Sequence, residues 1–235
     1  MSLLQVSNLH SYYGKSHILQ GVSLQVPERQ IVALLGRNGV GRSTTLKALM
    51  GLVPPARGSV QLDGQELAGR KPYEISRQGL AYVPENRDIF PTLTVHQNLL
   101  LGMKSINTQG VWSVDELLDF FPNLRNRAHS KGGTLSGGEQ QMLTICRSLL
   151  GDPKVILIDE PTEGLAPMIV ERLVELIREI RQRGVSVLLV EQKLTMAMRI
   201  SDTVYVMGHG KIVYEGTPAE LRDDERVRKE WLEVA

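Results

Sequence analysis

The chain has one cysteine, no long apolar run and almost no excess charge, and each shortage excludes something. Cys146 alone can form neither an internal disulfide framework nor a zinc site built on several thiolates, which fits a reducing compartment. The longest apolar runs, such as Val155 to Ile158 and Val187 to Val190, are strand-sized and fall far short of the ~18 residues that cross a bilayer. The opening residues lack the basic start and apolar stretch of a signal peptide. The expectation is a soluble chain that reaches a membrane only through a partner. With 27 basic against 26 acidic side chains, the net charge of +1 excludes binding to nucleic acid through bulk electrostatics. It leaves room only for a local basic patch.

What is present suits a globule: 235 residues, 42% of them hydrophobic, a length that fits one domain with a large insertion. Leu3 to Val6, Val22 to Val26 and Ile31 to Leu35 read as short β elements. The last is an unbroken apolar run, as a parallel strand covered on both faces requires. It leads into a glycine-rich loop and a helical stretch ending near Gly51. Val60 to Leu62 and Leu80 to Val83 offer two more strands. From Thr92 the spacing turns helical, through Val95, Leu99 and Leu100 and then Val114, Leu117, Leu118 and Phe121, with a Gly/Asn/Ser-containing link between. Residues 88–150 therefore read as a mostly helical insertion. Val155 to Ile158 is again a strand. Pro167 opens a helix with Leu173, Leu176, Ile177 and Ile180 on one face, and Val185 to Val190 follows as a strand. A hairpin across Gly208-His209-Gly210 and a charged helical tail from Pro218 end the chain. Strand and helix alternate around one insertion, which predicts an α/β fold with a parallel sheet, its core formed by 1–87 and 151–235.

Chemistry concentrates at three places. Gly36-Arg37-Asn38-Gly39-Val40-Gly41-Arg42-Ser43, continued by Thr44, fits G-x-x-x-x-G-K-[ST] at every position but Arg42. Glycines there let successive N–H groups curl around phosphate oxygens ahead of a helix N-terminus, and Ser43 is placed to ligate Mg²⁺. Arginine keeps the positive charge of the expected lysine but is a bulkier planar fork. Second, Ile156-Leu-Ile158 ends in Asp159 and Glu160. One carboxylate at such a strand end can hold the Mg²⁺ shell, and its neighbour can activate a water for in-line attack. Third, Leu135-Ser136-Gly137-Gly138-Glu139-Gln140-Gln141 precedes a helix, with a serine and two glycine amides that make a second anion-binding end. The five histidines, at 10, 17, 96, 129 and 209, show no ligand spacing. Ile89, Phe90, Pro91 and Leu93 form either a docking patch or the core of the insertion.

In that order, the phosphate loop, the acid pair and LSGGEQQ resemble the nucleotide-binding subunit of ABC transporters, over about Leu3 to Gly216. The resemblance implies a phosphate-loop NTPase core of RecA type, with an N-terminal antiparallel β subdomain and an inserted helical subdomain. It implies ATP and Mg²⁺ as cofactors and two cassettes paired head to tail, with Ser136, Gly137 and Gly138 acting on the partner's ATP. Glu160 becomes the general base, and Ser43 and Asp159 the Mg²⁺ ligands. Residues Gly36 through Thr44 become the phosphate cradle. Tyr13 matches the aromatic that stacks on adenine, with adjacent Tyr12 as its competitor. Glu85, in Tyr82-Val-Pro-Glu85, falls where the family has a glutamine touching the Mg²⁺ and water site. Gln192 falls where it has a switch histidine. The strings VPE…IFPTLTVHQNL, EPTEGLAP and LLVEQ resemble the subgroup importing branched-chain and other hydrophobic amino acids, with amide and urea relatives.

The expected function is therefore an ATPase subunit peripheral to the cytoplasmic face of the inner membrane. Its implied partners are a second, different cassette, permease subunits and, indirectly, a periplasmic binding protein, with no nucleic acid. The alternative is a regulatory half that binds nucleotide but hydrolyses it weakly, resting on Arg42 alone. A soluble DNA-repair or translation ATPase would need a coiled-coil insertion, zinc cysteines or tandem cassettes, and a plain GTPase an N-K-x-D string. The chain has none of these.

Overall fold

The computed structural model describes residues 2–104 and 110–232. Two long antiparallel strands open the chain, β1 (Ser2–Tyr13) and β2 (Ser16–Pro27). Periodicity captures only fragments of them because their register slips at bulges, as between Val6 and Leu9 and between Ser11 and Tyr12. Next come β3 (Ile31–Leu35), α1 (Arg42–Leu49), β4 (Arg57–Leu62), β5 (Gln65–Glu66), α2 (Pro72–Gln78) and β6 (Leu80–Val83). The stretch that follows is helical: α3 (Val95–Leu100), α4 (Val114–Phe120), α5 (Pro122–Asn126), a 3₁₀ turn at Gly132–Thr134 and α6 (Gly137–Leu149). The middle of its link, 105–109, lies outside the described residues. The remainder is β7 (Val155–Asp159), α7 (Pro167–Gln182), β8 (Ser186–Val190), α8 (Leu194–Ile200), β9 (Thr203–Gly208), β10 (Lys211–Gly216), α9 (Pro218–Asp223) and α10 (Glu225–Trp231).

The strands form two sheets. One is antiparallel, in the order β2-β1-β4-β5; the other runs β10-β9-β3-β8-β7-β6 and is parallel except for β10. The expected parallel sheet is thus mixed, because the short Gly208–Gly210 turn can only return the chain antiparallel.

Every residue of β3, β7 and β8 is buried, as covering both faces demands. Their alternation sorts side chains by face. Ile156, Ile158, Val187 and Leu189 pack with Ile145 and Leu149 of α6 and with Leu173 and Ile177 of α7. Val155, Leu157, Leu188 and Val190 pack with Leu46 of α1 and with Leu4, Leu24 and Val60 of the antiparallel sheet. At about 1.5–3 kcal/mol for each fully buried aliphatic chain, these central strands anchor the fold. Being parallel, β3, β7 and β8 deliver their carboxyl ends to one edge, the usual ligand edge of such sheets.

Candidate functional site

Between β3 and α1 the chain makes a loop that only glycine permits at two points. A Cβ at Gly36 would lie 2.6 Å from the Met207 carbonyl oxygen, and Gly41, the N-cap of α1, has φ +111°. α1 has no acidic residue in its first turn and no side-chain cap, so its leading amides are left to the loop and to an incoming anion. A cavity of about 410 Å³ lies against this loop. Asn38, Gly39, Gly41, Arg42, Ser43 and Thr44 line it, together with Tyr13 and Ile18 from the antiparallel sheet and Glu85, Glu160 and Glu163.

Ser43 Oγ donates to Asp159 Oδ1 at 3.0 Å, and the Tyr82 hydroxyl donates to Asp159 Oδ2 at 3.2 Å. Burial raises the Asp159 pKa, and these two hydrogen bonds oppose the rise. Burial, followed by the Asp159 charge, pushes Tyr82 well up, so it stays a donor. Mg²⁺ takes hard oxygens and keeps waters and substrate phosphates in its shell, with one or two protein ligands. A serine hydroxyl beside a carboxylate fits that habit. Among the described residues no group of three or more His, Cys, Asp or Glu could cage a metal by itself. Water and phosphate oxygens would therefore fill the rest of the shell.

Glu160 sits at the turn after β7 with φ +43°, a left-handed conformation uncommon for a non-glycine residue, held by its amide donating to Val190 O at 2.9 Å. Burial raises its pKa, and Arg42 beside it opposes the shift. Sequence reasoning assigns Arg42 to phosphate; the structure turns its guanidinium onto protein groups. Nη2 donates to Glu160 Oε1 at 2.6 Å and to Asn38 Oδ1 at 2.9 Å, and Nη1 donates to the Glu191 carbonyl at 3.0 Å. Arg42 is 4% exposed.

The other expected residues fall in several places. Tyr13 lines the cavity, whereas the Tyr12 ring stacks on His17 with centroids 4.3 Å apart. Glu85 is exposed at the cavity wall. The Arg37 side chain reaches away to the Lys229 carbonyl, and the Val40 carbonyl accepts from Gly210 N–H. Gln192 and Ser136 are exposed and Gly137 and Gly138 half-buried, and none of the four lines the cavity. Ser136 is the N-cap of α6, in a reciprocal capping box with Glu139. Ile89 packs against the core, while Phe90 and Pro91 are exposed, so the apolar patch is split. Phe90 and Leu101 edge a groove of about 540 Å³ beside Tyr82 and Arg147.

Two residues escaped the sequence reading. Glu191 is 2% exposed; its carboxylate accepts from Thr162 Oγ1 at 2.8 Å and from the Gln192 and Lys193 amides at 2.9 Å. An apolar strand running into an acid, the pattern that exposed Asp159 and Glu160, was its signal. Arg87 donates to the Glu163 carbonyl at 3.2 Å and lies against Gly137, tying the link before the insertion to the loop after β7. A lone arginine in a loop offered no signal.

Residues 19–163 match the family model described as "ABC transporter". The chain is 41% identical to the high-affinity branched-chain amino acid transport ATP-binding protein BraG of Pseudomonas aeruginosa, covering 98% of this chain and 99% of that one. It is 34% identical to the lipopolysaccharide export system ATP-binding protein LptB of Haemophilus influenzae, covering 99% and 98%. A solved structure of an ATP-binding subunit of an ABC transporter superposes with a TM-score of 0.83 at 32% identity, over 98% of this chain and 96% of that one. These names lend no support to a regulatory, weakly hydrolysing role.

Proposed function

The chain belongs to the ABC transporter family as an ATP-binding subunit, and from that premise we propose that it powers an importer of branched-chain or related hydrophobic amino acids. The observation that carries the ATPase reading is the convergence, in one cavity, of an uncapped helix N-terminus, Ser43 paired to Asp159, and the Glu160 carboxylate. In this reading the loop amides of Gly36 through Thr44 bind the phosphates, with Ser43 and Asp159 on Mg²⁺. Bound Mg²⁺ supplies charge neutralisation across the terminal phosphates. Glu160 accepts the proton of the attacking water, Glu85 borders the metal and water, and Tyr13 carries the adenine. Ser136, Gly137 and Gly138 lie away from this cavity and serve the nucleotide of a second cassette.

No helix among the described residues is long and apolar enough to cross a membrane. The exposed Phe90 and Leu101 groove fits an apolar segment of a permease, which would hold the chain at the cytoplasmic face. Higher identity to this amino-acid relative than to the lipopolysaccharide one supports the solute class.

The test is Mg-ATP hydrolysis by the purified chain, alone and with its partner cassette, beside Glu160→Gln. Turnover that vanishes in the variant while ATP still binds is the expected result. Equal turnover in both would sink the assignment of the base. Solute class is read by uptake of labelled leucine in cells with and without the gene; unchanged uptake removes it.

A further inference from the structure

The Arg42 guanidinium is shared among three acceptors that sit on different segments. Glu160 follows β7 and takes the shortest of its hydrogen bonds, at 2.6 Å. Asn38 belongs to the phosphate loop itself, and the Glu191 carbonyl follows β8. Arg42 lines the same cavity as Ser43 and Thr44, the space that a phosphate chain would enter. Phosphate oxygens and a carboxylate compete for a guanidinium through the same planar, charge-assisted geometry. A lysine ammonium at this position would be a point charge on a shorter arm, without the fork that spans three acceptors.

We propose that Arg42 is a positioning residue for Glu160, whose hold on that carboxylate is weakened when a nucleoside triphosphate takes over its N–H donors. The proposal rests on the ATPase reading above and deepens it, since loop occupancy then governs how freely the base can orient toward water. Asn38 and the Glu191 carbonyl keep the guanidinium in place during the exchange, so its charge stays at the loop. Both partners are largely buried, at 4% and 11% side-chain exposure, so solvent screens the exchange little.

The experiment is a double-substitution cycle on melting temperature, with parent, Arg42→Gln, Glu160→Gln and the double variant. Each is measured with and without Mg²⁺ and a non-hydrolysable ATP analogue. Without the analogue, each single change should lower Tm by about 5 °C or more and the double should fall hardly further. With the analogue bound, that non-additivity should shrink. Glu160→Gln should also tighten analogue binding by about tenfold, because it removes the competing carboxylate. Additive losses without nucleotide, coupling unchanged by the analogue, or unaltered affinity in Glu160→Gln would each overturn the proposal. A parent chain that binds no analogue removes the ATPase reading and the exchange with it, yet the cycle without nucleotide still reports whether the ion pair exists.

Discussion

β7 and β8 are neighbours in the parallel sheet, both wholly buried, and both lead into acids at their carboxyl ends. Asp159 and Glu160 meet the phosphate loop through Ser43 and Arg42. Glu191, one strand over, spends its carboxylate on Thr162 and two backbone amides of its own chain. The difference lies in who supplies the hydrogen-bond donors. Where backbone amides and a neighbouring threonine satisfy a buried carboxylate, it is part of the scaffold. Where its partners are a serine and an arginine of the first turn of α1, beside a cavity, it is placed to serve a ligand.

The sharpest way to break this comparison is to neutralise one acid at each strand end. Glu160→Gln should reduce ATP turnover by about 10²-fold or more, read as kcat with nucleotide binding retained. Glu191→Ala should act first on stability, by about 3 kcal/mol in denaturant unfolding, because it strands two amides and a hydroxyl. A Glu191 variant as stable as the parent would erase the distinction. A smaller effect separates two neighbouring tyrosines: Tyr13→Ala should raise the KM for ATP by about tenfold, and Tyr12→Ala should barely move it. The reverse order would move the adenine site to Tyr12.

The smallest effect concerns acids at helix starts rather than strand ends. Hydrogen bonds from Ser113 hold Glu116, and those from Thr217 hold Glu220, below the ordinary carboxylate value of 4.5. Their contribution to stability is therefore full above that value and lost as pH falls through the lower folded values. Ser113→Ala with Thr217→Ala should flatten the acid side of the stability curve measured by urea unfolding. An acid limb as steep as the parent's would show that these caps do not set it.

Much of this architecture is legible in the chain. Apolar runs such as Ile31 to Leu35 declare buried parallel strands because no polar residue could sit on either face. The spacing of Leu173, Leu176, Ile177 and Ile180 likewise declares one buried helix face. β1 and β2 were only half visible, since bulges break the two-residue alternation that marks a strand. The glycine loop and Asp159 with Glu160 were legible because phosphate chemistry demands those residue types in that order. The direction of the Arg42 side chain was not, because two of its three acceptors, Glu160 and the Glu191 carbonyl, lie far along the chain. Arg87 was hidden for the same reason, its neighbours Glu163 and Gly137 being far along the chain.

The placement of β8 between β3 and β7 has one more consequence. Two strand spacings, on the order of 10 Å, separate the strand that launches the loop from the strand that ends in the acids. The Arg42 guanidinium gathers acceptors from the segments that follow all three strands, Asn38 after β3, Glu191 after β8 and Glu160 after β7. It works as a caliper laid across the sheet. A spectroscopic label on that one guanidinium, such as its nitrogen chemical shifts, would register lateral splaying of the central strands.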